Sequence, residues 1–346
     1  MTDACLETGP PPASSPASFA LALNENHFPP LPAVRSAIAE AAASVNRYPE
    51  FLPTRMRAVI AGHVGIEPAN IAVGAGATGM AIDFLRNFTS PGDRIVSATP
   101  TFDGYPIFIR LAGLRPTLVP LNEEGRHDLD AMADAAVDAR VVVLCRPHNP
   151  TGTIEDRDAV IAWLRRVSPD TLVILDEAYI DFVSPRQRLD AKAIVDAHPN
   201  VIVLRTFSKA YGLAGLRTGY AICTPFLASR IWDQHLPFQT TALSLAAVQA
   251  SVRAESQLAQ RITEITAERT FLRRELRGLG VWSAQSQANF VYLAGGGRPW
   301  PEVFCDAGVA VRPVGADAVR ITVGDRAASL AVLGAVMTAG RRGLAR

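Results

Sequence analysis

The chain uses arginine for almost every positive charge, and only two of its 34 basic Lys and Arg residues are lysines, Lys192 and Lys209. A lysine can lose its proton and attack a carbonyl carbon once burial lowers its pKa, whereas an arginine stays charged. Lys209 lies among small and apolar residues in "VLRTFSKAYGLAGLRTGY", and Lys192 lies in a helical pattern without other reactive groups. The sequence therefore predicts that Lys209 forms a Schiff base.

Two further stretches carry polar groups at the ends of predicted strands. "CRPHNPTG" places Asn149 after one strand, and "VILDEAYIDF" ends a second strand at Asp176, with Tyr179 three residues later. A carboxylate at the carboxyl end of a parallel strand points into the crevice where such sheets bind ligands. An ordinary turn at Asn149 and a helix cap at Asp176 are the structural alternatives.

A glycine-rich stretch, "IAVGAGATGMAIDFL", has the GxGxxG spacing of a dinucleotide-binding turn at Gly74, Gly76 and Gly79. An NAD-dependent oxidoreductase would need an acidic residue at the end of the next strand, whereas Asp93 precedes that strand. The prediction that remains is a helix N-terminus that binds an anion, most simply a phosphate. A plain glycine-rich turn is the alternative.

The spacing of apolar residues predicts the elements that position these groups. Between about residues 70 and 222, buried β-branched runs alternate with helical patterns, which is typical of a mostly parallel sheet covered by helices. Beyond residue 225, "SLAAVQASVRAESQLAQRITEITAERTFLRRELRGLG" predicts two helices, with a coiled coil as the alternative. Strands return from "ANFVYLA" to "VRITVG", before a closing helix. The predicted fold class is α/β.

Composition excludes several classes of partner. The formal net charge of +1 does not favour nucleic acid or an anionic membrane. The four cysteines lie far apart and the six histidines show no metal-ligand spacing, so we expect free thiols and no metal site. The first twenty residues lack the pattern of a signal peptide, and no apolar run is long enough to span a membrane. We therefore expect a cytoplasmic protein.

The motifs "NPTG", "DEAY" and "SKAYGLAGLR", in this order and spacing, resemble the fold-type I, pyridoxal-phosphate-dependent aminotransferases of class I/II. The nearest branch contains the histidinol-phosphate and aromatic amino acid aminotransferases. The resemblance runs from "ALNENHFPPLP" to "VRITVGDR". It implies a large domain with a mostly parallel sheet and a smaller α+β domain. We expect a flexible arm over residues 1–18, a substrate-covering segment of the small domain over 19–45, a large cofactor-binding domain over 46–245 and a C-terminal small domain over 246–346.

The resemblance also implies pyridoxal 5'-phosphate as the cofactor and a role for each motif residue. Lys209 would hold it as an internal aldimine and later carry the proton between the substrate Cα and C4′ of the cofactor. Asp176 would pair with the pyridinium nitrogen, Asn149 and Tyr179 would hydrogen-bond the phenolic oxygen, and Phe102 would stack on the ring.

For the cofactor phosphate, the resemblance implies Ala77 and Thr78 at a helix N-terminus together with Ser208 and Arg217, and Thr206 would assist. The turn "GAGATG" departs from the family pattern because it keeps the backbone donors and lacks the usual acidic side chains.

Substrate and subunit contacts follow from the same resemblance. Arg320 would bind the acidic group of the substrate, helped by Asn26, Asn149 and Tyr105. Tyr48 would reach the cofactor phosphate of a second subunit, which implies a homodimer with shared active sites.

The resemblance leaves the substrate open between two main possibilities. "FPPLP" and "TFDGYP" favour an aromatic L-amino acid with a 2-oxo acid such as 2-oxoglutarate as acceptor, and histidinol phosphate is the alternative. A decarboxylase or oxidase on the same fold is a further alternative. An NAD-dependent dehydrogenase would leave Lys209 unexplained, and a regulatory protein would need a DNA-binding segment that the first twenty residues are too short to form.

Overall fold

The computed structural model describes residues 19–341, so the predicted arm over residues 1–18 lies outside the described range. The strands are β1 (Phe19–Ala20), β2 (Ile71–Ala75), β3 (Arg94–Thr99), β4 (Arg115–Pro120), β5 (Val141–Cys145), β6 (Leu172–Asp176), β7 (Val201–Thr206), β8 (Thr218–Ile222), β9 (Phe290–Leu293), β10 (Val309–Ala310), β11 (Arg312–Val314) and β12 (Ala318–Thr322). The helices are α1 (Pro32–Ala42), α2 (Thr54–Val64), α3 (Gly76–Phe88), α4 (Gly104–Leu111), α5 (Leu129–Ala135), α6 (Arg157–Arg166), α7 (Ala191–Ala197), α8 (Pro225–Trp232), α9 (Ala242–Arg253), α10 (Glu255–Gly278), α11 (Trp300–Asp306) and α12 (Arg326–Arg341).

Seven strands form one large sheet in the order β2-β8-β7-β6-β5-β3-β4. Strands β3 to β7 pair in parallel, and β8 runs antiparallel to both β2 and β7. Alternate residues of the central strands enter different cores: Val142 and Leu144 pack on one face, and Val141 and Val143 pack on the other. A sheet buried on both faces needs apolar residues at every position, which is why these strands read as continuous apolar runs. The predicted mostly parallel α/β sheet is confirmed.

The glycine-rich turn does not belong to a dinucleotide-binding unit. A Rossmann βαβ unit places its first two strands in parallel contact. Here β2 pairs only with the antiparallel β8 in the sheet, and β3 lies between β5 and β4. The topology therefore argues against the NAD-dependent alternative, whereas helix α3 still begins directly after β2, with its N-terminus free to bind an anion.

A second core forms around a three-stranded antiparallel sheet of order β11-β12-β9, together with α10, α11 and α12. The N-terminal segment joins this core, because β1 pairs with β10 and Leu21 packs in the same cluster. The predicted domain limits at residues 45 and 245 stay predictions. The second of these limits falls inside α9, which packs along α1.

The helices after residue 225 follow the predicted pattern. The two predicted helices are α9 and α10, separated by Ala254, and α12 is the closing helix. No helix within residues 19–341 is long and apolar enough to cross a membrane.

Candidate active site

A cavity of about 260 Å³ opens at the carboxyl ends of the central strands. Because these ends lie at one edge of the sheet, residues far apart in sequence meet there. Eleven of the residues singled out in the sequence line this cavity: Ala77, Thr78, Phe102, Tyr105, Asn149, Asp176, Tyr179, Thr206, Ser208, Lys209 and Arg217. The chemistry expected of the motifs is therefore concentrated in one place.

The amine of Lys209 reaches into this cavity. Its Nζ donates to the carbonyl oxygens of Leu23 at 3.2 Å and Asn24 at 3.3 Å. Burial lowers the pKa of Lys209 to about 8, and the positive charges of Arg320 and Arg217 act in the same direction. Near neutral pH a useful fraction of this amine is uncharged, as a nucleophile or a proton acceptor requires.

A buried carboxylate, that of Asp176, stands at the end of β6. The Tyr105 hydroxyl donates to its Oδ2 at 2.9 Å, and the backbone N–H of Ala178 donates to its Oδ1 at 3.1 Å. Burial raises the pKa of Asp176, while these two hydrogen bonds and the charge of Lys209 oppose the rise. Tyr105 is itself fully buried beside this carboxylate. Its hydroxyl thus supports Asp176, and the contact with substrate stays a prediction.

Two glycines let β8 and the first turn of α3 approach each other closely. A Cβ on Gly219 would lie 2.4 Å from the backbone nitrogen of Ala77. Gly76 has φ +76°, and a Cβ there would lie 2.8 Å from Nη2 of Arg217. This close approach places backbone N–H groups and a guanidinium side by side, which is the chemistry of a phosphate site.

Side chains from β7 and the following turn complete this anion site. The Thr206 hydroxyl donates to the Ser208 hydroxyl oxygen at 3.0 Å. Arg217 adopts the left-handed backbone conformation (φ 51°), and its Nη1 donates to the Ala214 carbonyl at 2.9 Å and lies 3.5 Å from the Ser208 oxygen. A non-glycine residue in this conformation is uncommon, and here it aims the guanidinium at the helix terminus.

A second buried arginine, Arg320 on β12, borders the site from the other core. Its Nη1 donates to Oδ1 of Asn149 and its Nη2 to the carbonyl of Ala22, both at 2.6 Å. The side chain has no carboxylate partner within residues 19–341, and its buried Nε makes no hydrogen bond there. A buried guanidinium without an anion is a receptor for one, and a carboxylate fits its fork.

Tyr179 lies between these groups. Its hydroxyl accepts a hydrogen bond of 2.9 Å from Nδ2 of Asn24, and burial raises its pKa to about 12. The Nζ of Lys209 lies 5.7 Å from the centre of the Tyr179 ring. The phenol therefore stays protonated and can donate to an oxygen in the cavity.

Besides Arg320, which borders the site, two predicted residues do not line the cavity. Nδ2 of Asn26 donates to the Ala210 carbonyl at 2.8 Å, and its Oδ1 accepts from the backbone N–H of Phe28 at 3.0 Å. These bonds connect the N-terminal segment to the turn that carries Lys209. Tyr48 is 82% exposed, with its ring 4.6 Å from that of Phe238. The proposed contacts of both with ligands stay predictions.

Sequence reasoning missed several parts of the wall. Leu23, Glu25 and Cys145 line the cavity. The backbone carbonyls of residues 22–24 accept hydrogen bonds from Lys209 and Arg320. Backbone carbonyls leave no signal in a side-chain pattern. The proximity of "NENHFPPLP" to the other motifs follows from long-range contacts, among them the pairing of β1 with β10 and the hydrogen bond of Asn26 to the Ala210 carbonyl.

Comparisons with known proteins agree with this geometry. Residues 18–336 match the family described as aminotransferase class I and II. The aromatic amino acid aminotransferase of Cutibacterium acnes is 43% identical over 307 residues, covering 88% of this chain and 87% of that protein. The protein of that name from Streptomyces coelicolor is 41% identical over 323 residues, covering 92% and 90%. The crystal structure of histidinol-phosphate aminotransferase from Sinorhizobium meliloti, in complex with pyridoxal-5'-phosphate, has a TM-score of 0.86 at 28% identity, covering 94% of this chain and 92% of that one. The chain thus belongs to the class I and II aminotransferases, the family that its motifs resemble.

Proposed function

We propose that this aminotransferase uses pyridoxal 5'-phosphate to move an amino group between an aromatic L-amino acid and a 2-oxo acid such as 2-oxoglutarate. The observation that carries the proposal is the meeting of three groups: the Lys209 amine of lowered pKa, the buried Asp176 carboxylate and the Arg320 guanidinium without an anion. The names of the relatives at 41% to 43% identity support the aromatic substrate.

The cavity fits this cofactor at each end. A buried carboxylate, Asp176, would hold the pyridinium nitrogen, and the N-terminus of α3 with Ser208 and Arg217 would hold the phosphate. Asn149 and Tyr179 would donate to the phenolic oxygen, and the Phe102 ring stands in the wall where a stacking partner is needed. When bound, the cofactor supplies an electron sink for the negative charge that develops at the substrate Cα.

The chain's own groups then perform the binding and the proton transfer. Arg320 binds the substrate carboxylate and so fixes the orientation of the Cα–H bond. Lys209, with a pKa of about 8, takes the Cα proton and returns it at a different carbon. Both side chains hold backbone carbonyls of residues 22–24, so these hydrogen bonds must be exchanged for ligand contacts. The same segment then shields the reacting atoms from water.

A half-reaction experiment tests the proposal. Holoenzyme is mixed separately with phenylalanine, tyrosine, glutamate, histidinol phosphate and phosphothreonine, and the visible absorbance of the cofactor is followed. We expect phenylalanine, tyrosine and glutamate to convert it to the amino form. Conversion by only glutamate and histidinol phosphate would assign histidinol phosphate as the substrate. Release of carbon dioxide or peroxide without the amino form would assign a decarboxylase or an oxidase.

A conservative substitution tests the role of Arg320. Arg320→Lys keeps the charge and loses the bidentate fork, so kcat/KM should fall about 10- to 100-fold for the amino acid and for the 2-oxo acid. The affinity for the cofactor should stay unchanged. Arg326→Lys is the matched control, because this exposed arginine pairs with Glu268 and stacks on the Phe271 ring, outside the wall of the catalytic cavity. Equal losses in the two variants would remove Arg320 from substrate binding.

We also propose that the active unit is a homodimer. Exposed apolar side chains cluster around Tyr48, whose ring contacts Phe238, and Phe51 packs against the same ring at 5.2 Å. Phe51 is 59% exposed and Leu236 is 66% exposed. A second copy covering this surface would bring Tyr48 toward the other active site, as the family resemblance implies.

Subunit mixing tests the dimer and the role of Tyr48 together. Tyr48→Ala and Lys209→Ala proteins should each be nearly inactive. A dimer of one Tyr48→Ala subunit and one Lys209→Ala subunit has both groups intact in one of its two sites. Random mixing makes about half of the dimers hybrids, so the mixture should regain about a quarter of the wild-type activity. Sedimentation as a monomer, or a mixture no more active than its components, would contradict the shared site.

A further inference from the structure

A second and larger cavity, of about 700 Å³, lies behind the catalytic one. Successive side chains along a strand point to opposite faces of a sheet. Asp176 at the end of β6 faces the catalytic cavity, whereas Glu177 pairs with Arg205 of β7 at 2.8 Å on the other side. Arg205 lines the second cavity. The two cavities thus stand back to back across one pair of strands.

The wall of the second cavity comes from both parts of the fold. One side follows the catalytic motifs in sequence, since Asp181 comes two residues after Tyr179 and Tyr211 two residues after Lys209. The other side comes from helix α10 and Gln287. The polar side chains of the wall are His63, Asp181, Ser184, Arg188, Arg205, Thr206, Tyr211, Tyr220, Glu255, Thr263, Thr266, Arg269 and Gln287. A volume of this size is within the range of small-molecule sites.

A buried cation in this wall has no counter-ion among the described residues. Arg269 is 9% exposed, and its guanidinium donates one hydrogen bond, from Nη1 to the Ala288 carbonyl at 2.8 Å. Within residues 19–341 it forms no ion pair, and burial together with the charge of Arg273 lowers its pKa to about 10. A buried charge without an opposite charge destabilises the fold unless a ligand supplies one.

Two further charged side chains of the wall form no direct ion pair within residues 19–341. Arg188 lies exposed at the edge of the cavity and donates to the backbone carbonyls of Val183 at 2.9 Å and Asp181 at 2.8 Å. The Asp181 carboxylate forms no direct ion pair in the described part of the chain; burial raises its pKa, and the nearby charges of Arg205, Arg188 and His63 oppose this rise. By contrast, His63 is satisfied, because its two ring nitrogens lie 2.9 Å from the Tyr211 hydroxyl and 3.1 Å from a Glu255 oxygen. The cavity therefore offers cations and a carboxylate to the same ligand.

We propose that this cavity is a second binding site, for a small zwitterionic amino acid. The ligand carboxylate binds the guanidinium groups of Arg269 and Arg188, and the ligand ammonium binds the carboxylate of Asp181. A ligand that carries an ammonium next to its carboxylate contacts the arginines and Asp181 at once, whereas an anion alone or an amine alone contacts only one kind of charge in this wall. This site is separate from the catalytic cavity and does not depend on the substrate proposed above.

Binding stoichiometry on the holoenzyme tests the proposal. Phenylalanine, tyrosine, histidine and glutamate serve as probes in equilibrium dialysis, with the Arg320→Gln variant used to weaken the catalytic site. We expect Arg320→Gln to retain one saturable site per subunit for at least one probe. If none of the four binds this variant up to about 10 mM, the proposal is overturned.

Two changes in the Arg320→Gln background locate the retained site. Asp181→Asn removes the partner of the ammonium and should weaken binding about 10- to 100-fold. Thr263→Trp, at an exposed position of α10, fills the rim and leaves every buried charge in place, so it keeps the test valid if the first variant does not fold. Unchanged binding in a folded variant of either kind would overturn the site.

Two truncated probes test whether binding needs both the ammonium and the carboxylate of the amino acid. Relative to phenylalanine, 3-phenylpropionate lacks the ammonium and 2-phenylethylamine lacks the carboxylate. Each should bind the retained site at least about tenfold more weakly than phenylalanine if that amino acid is a ligand, and glutarate is the matching probe for glutamate. Equal binding of an amino acid and its analogue without the ammonium would refute the role of Asp181. Because none of these measurements uses turnover, a failure here is distinct from a failure of the proposed function.

Discussion

The presence of only two lysines makes the ionisation of the Lys209 amine directly measurable. In the cofactor-free protein Lys209 should titrate with a pKa of about 8, mainly because it is buried. Lys192 is the internal control: it is exposed, and its hydrogen bond to Asp196 raises its pKa above the ordinary value of a lysine. The two amines should therefore differ strongly in nucleophilicity at neutral pH.

The size of the difference follows from the ionisation equilibrium. At pH 7, an amine with a pKa of about 8 is uncharged in about one molecule in ten, whereas an ordinary lysine is uncharged in about one in 3,000. The neutral fraction of Lys209 should thus exceed that of an ordinary lysine by about 300-fold. An arginine in this position would have almost no neutral form.

Trace acetylation with acetic anhydride measures both lysines in one sample. The protein is labelled between pH 6 and 11, digested, and quantified by mass spectrometry, which separates the two lysine peptides from the N-terminal one. Labelling of Lys209 should reach half its maximum near pH 8. In Arg320→Gln the midpoint should move upward, because the charge of Arg320 is the largest influence after burial that lowers this pKa. Equal midpoints for Lys209 and Lys192 in the wild type would refute the reasoning.

Three further predictions concern groups that support the site. Gly219→Ala should weaken cofactor binding at least about tenfold, measured by equilibrium dialysis, because its Cβ would lie 2.3 Å from the backbone of α3; unchanged affinity would show that the turn can move. Tyr105→Phe should raise the pKa of Asp176 further and lower kcat about tenfold in steady-state assays, since it removes a hydrogen bond to the carboxylate, and wild-type kcat would exclude this role. Burial raises the pKa of Glu155, but the hydrogen bond and charge of His127, 2.9 Å away, outweigh this effect and the pKa is lowered. The ionised carboxylate therefore stabilises the fold above about pH 4.5, and this stabilisation is lost as the pH falls through the lowered pKa. Glu155→Gln should therefore reduce the free energy of unfolding by about 1–3 kcal/mol at pH 7 in urea titrations and flatten its dependence on pH below 4.5, and an unchanged profile would refute the assignment.

The sequence predicts the local parts of the molecule well. The strands of the large sheet are continuous apolar runs because both faces are buried, and the groups at their ends meet because the strands are parallel. The sequence places Asn149 and Asp176 after two such strands, the family resemblance implies that both contact one cofactor, and the structure shows that these strands, β5 and β6, are neighbours. The topology that argues against a dinucleotide-binding unit is not encoded in the glycine motif itself. The strand that carries Gly74 pairs with β8, which is antiparallel and distant in sequence.

What the sequence could not predict depends on contacts between distant segments. The hydrogen bond of Arg320 to Asn149 joins residues 171 positions apart, and neither neighbourhood indicates the other. The hydrogen bond of Tyr105 to Asp176 follows from the packing of α4 on the sheet and joins residues 71 positions apart. The second cavity has no motif of its own because its wall is assembled from segments between His63 and Gln287.

The pairing of the N-terminal segment with β12 has a consequence for synthesis of the protein. The backbone N–H of Asn24 donates to the Thr322 hydroxyl at 2.9 Å, and the N–H of Thr322 donates to the Leu21 carbonyl at 2.8 Å, across 298 residues for the first pair. At about 5–20 residues per second, the ribosome needs about 15–60 s to add the partner strand after the first segment has been made. During this time the nascent chain contains Lys209 without the strand that carries Arg320. The side chain proposed to bind the substrate carboxylate is therefore in place only after β12 has been made, and a chain that stops before β12 lacks Arg320 even if its large sheet has formed.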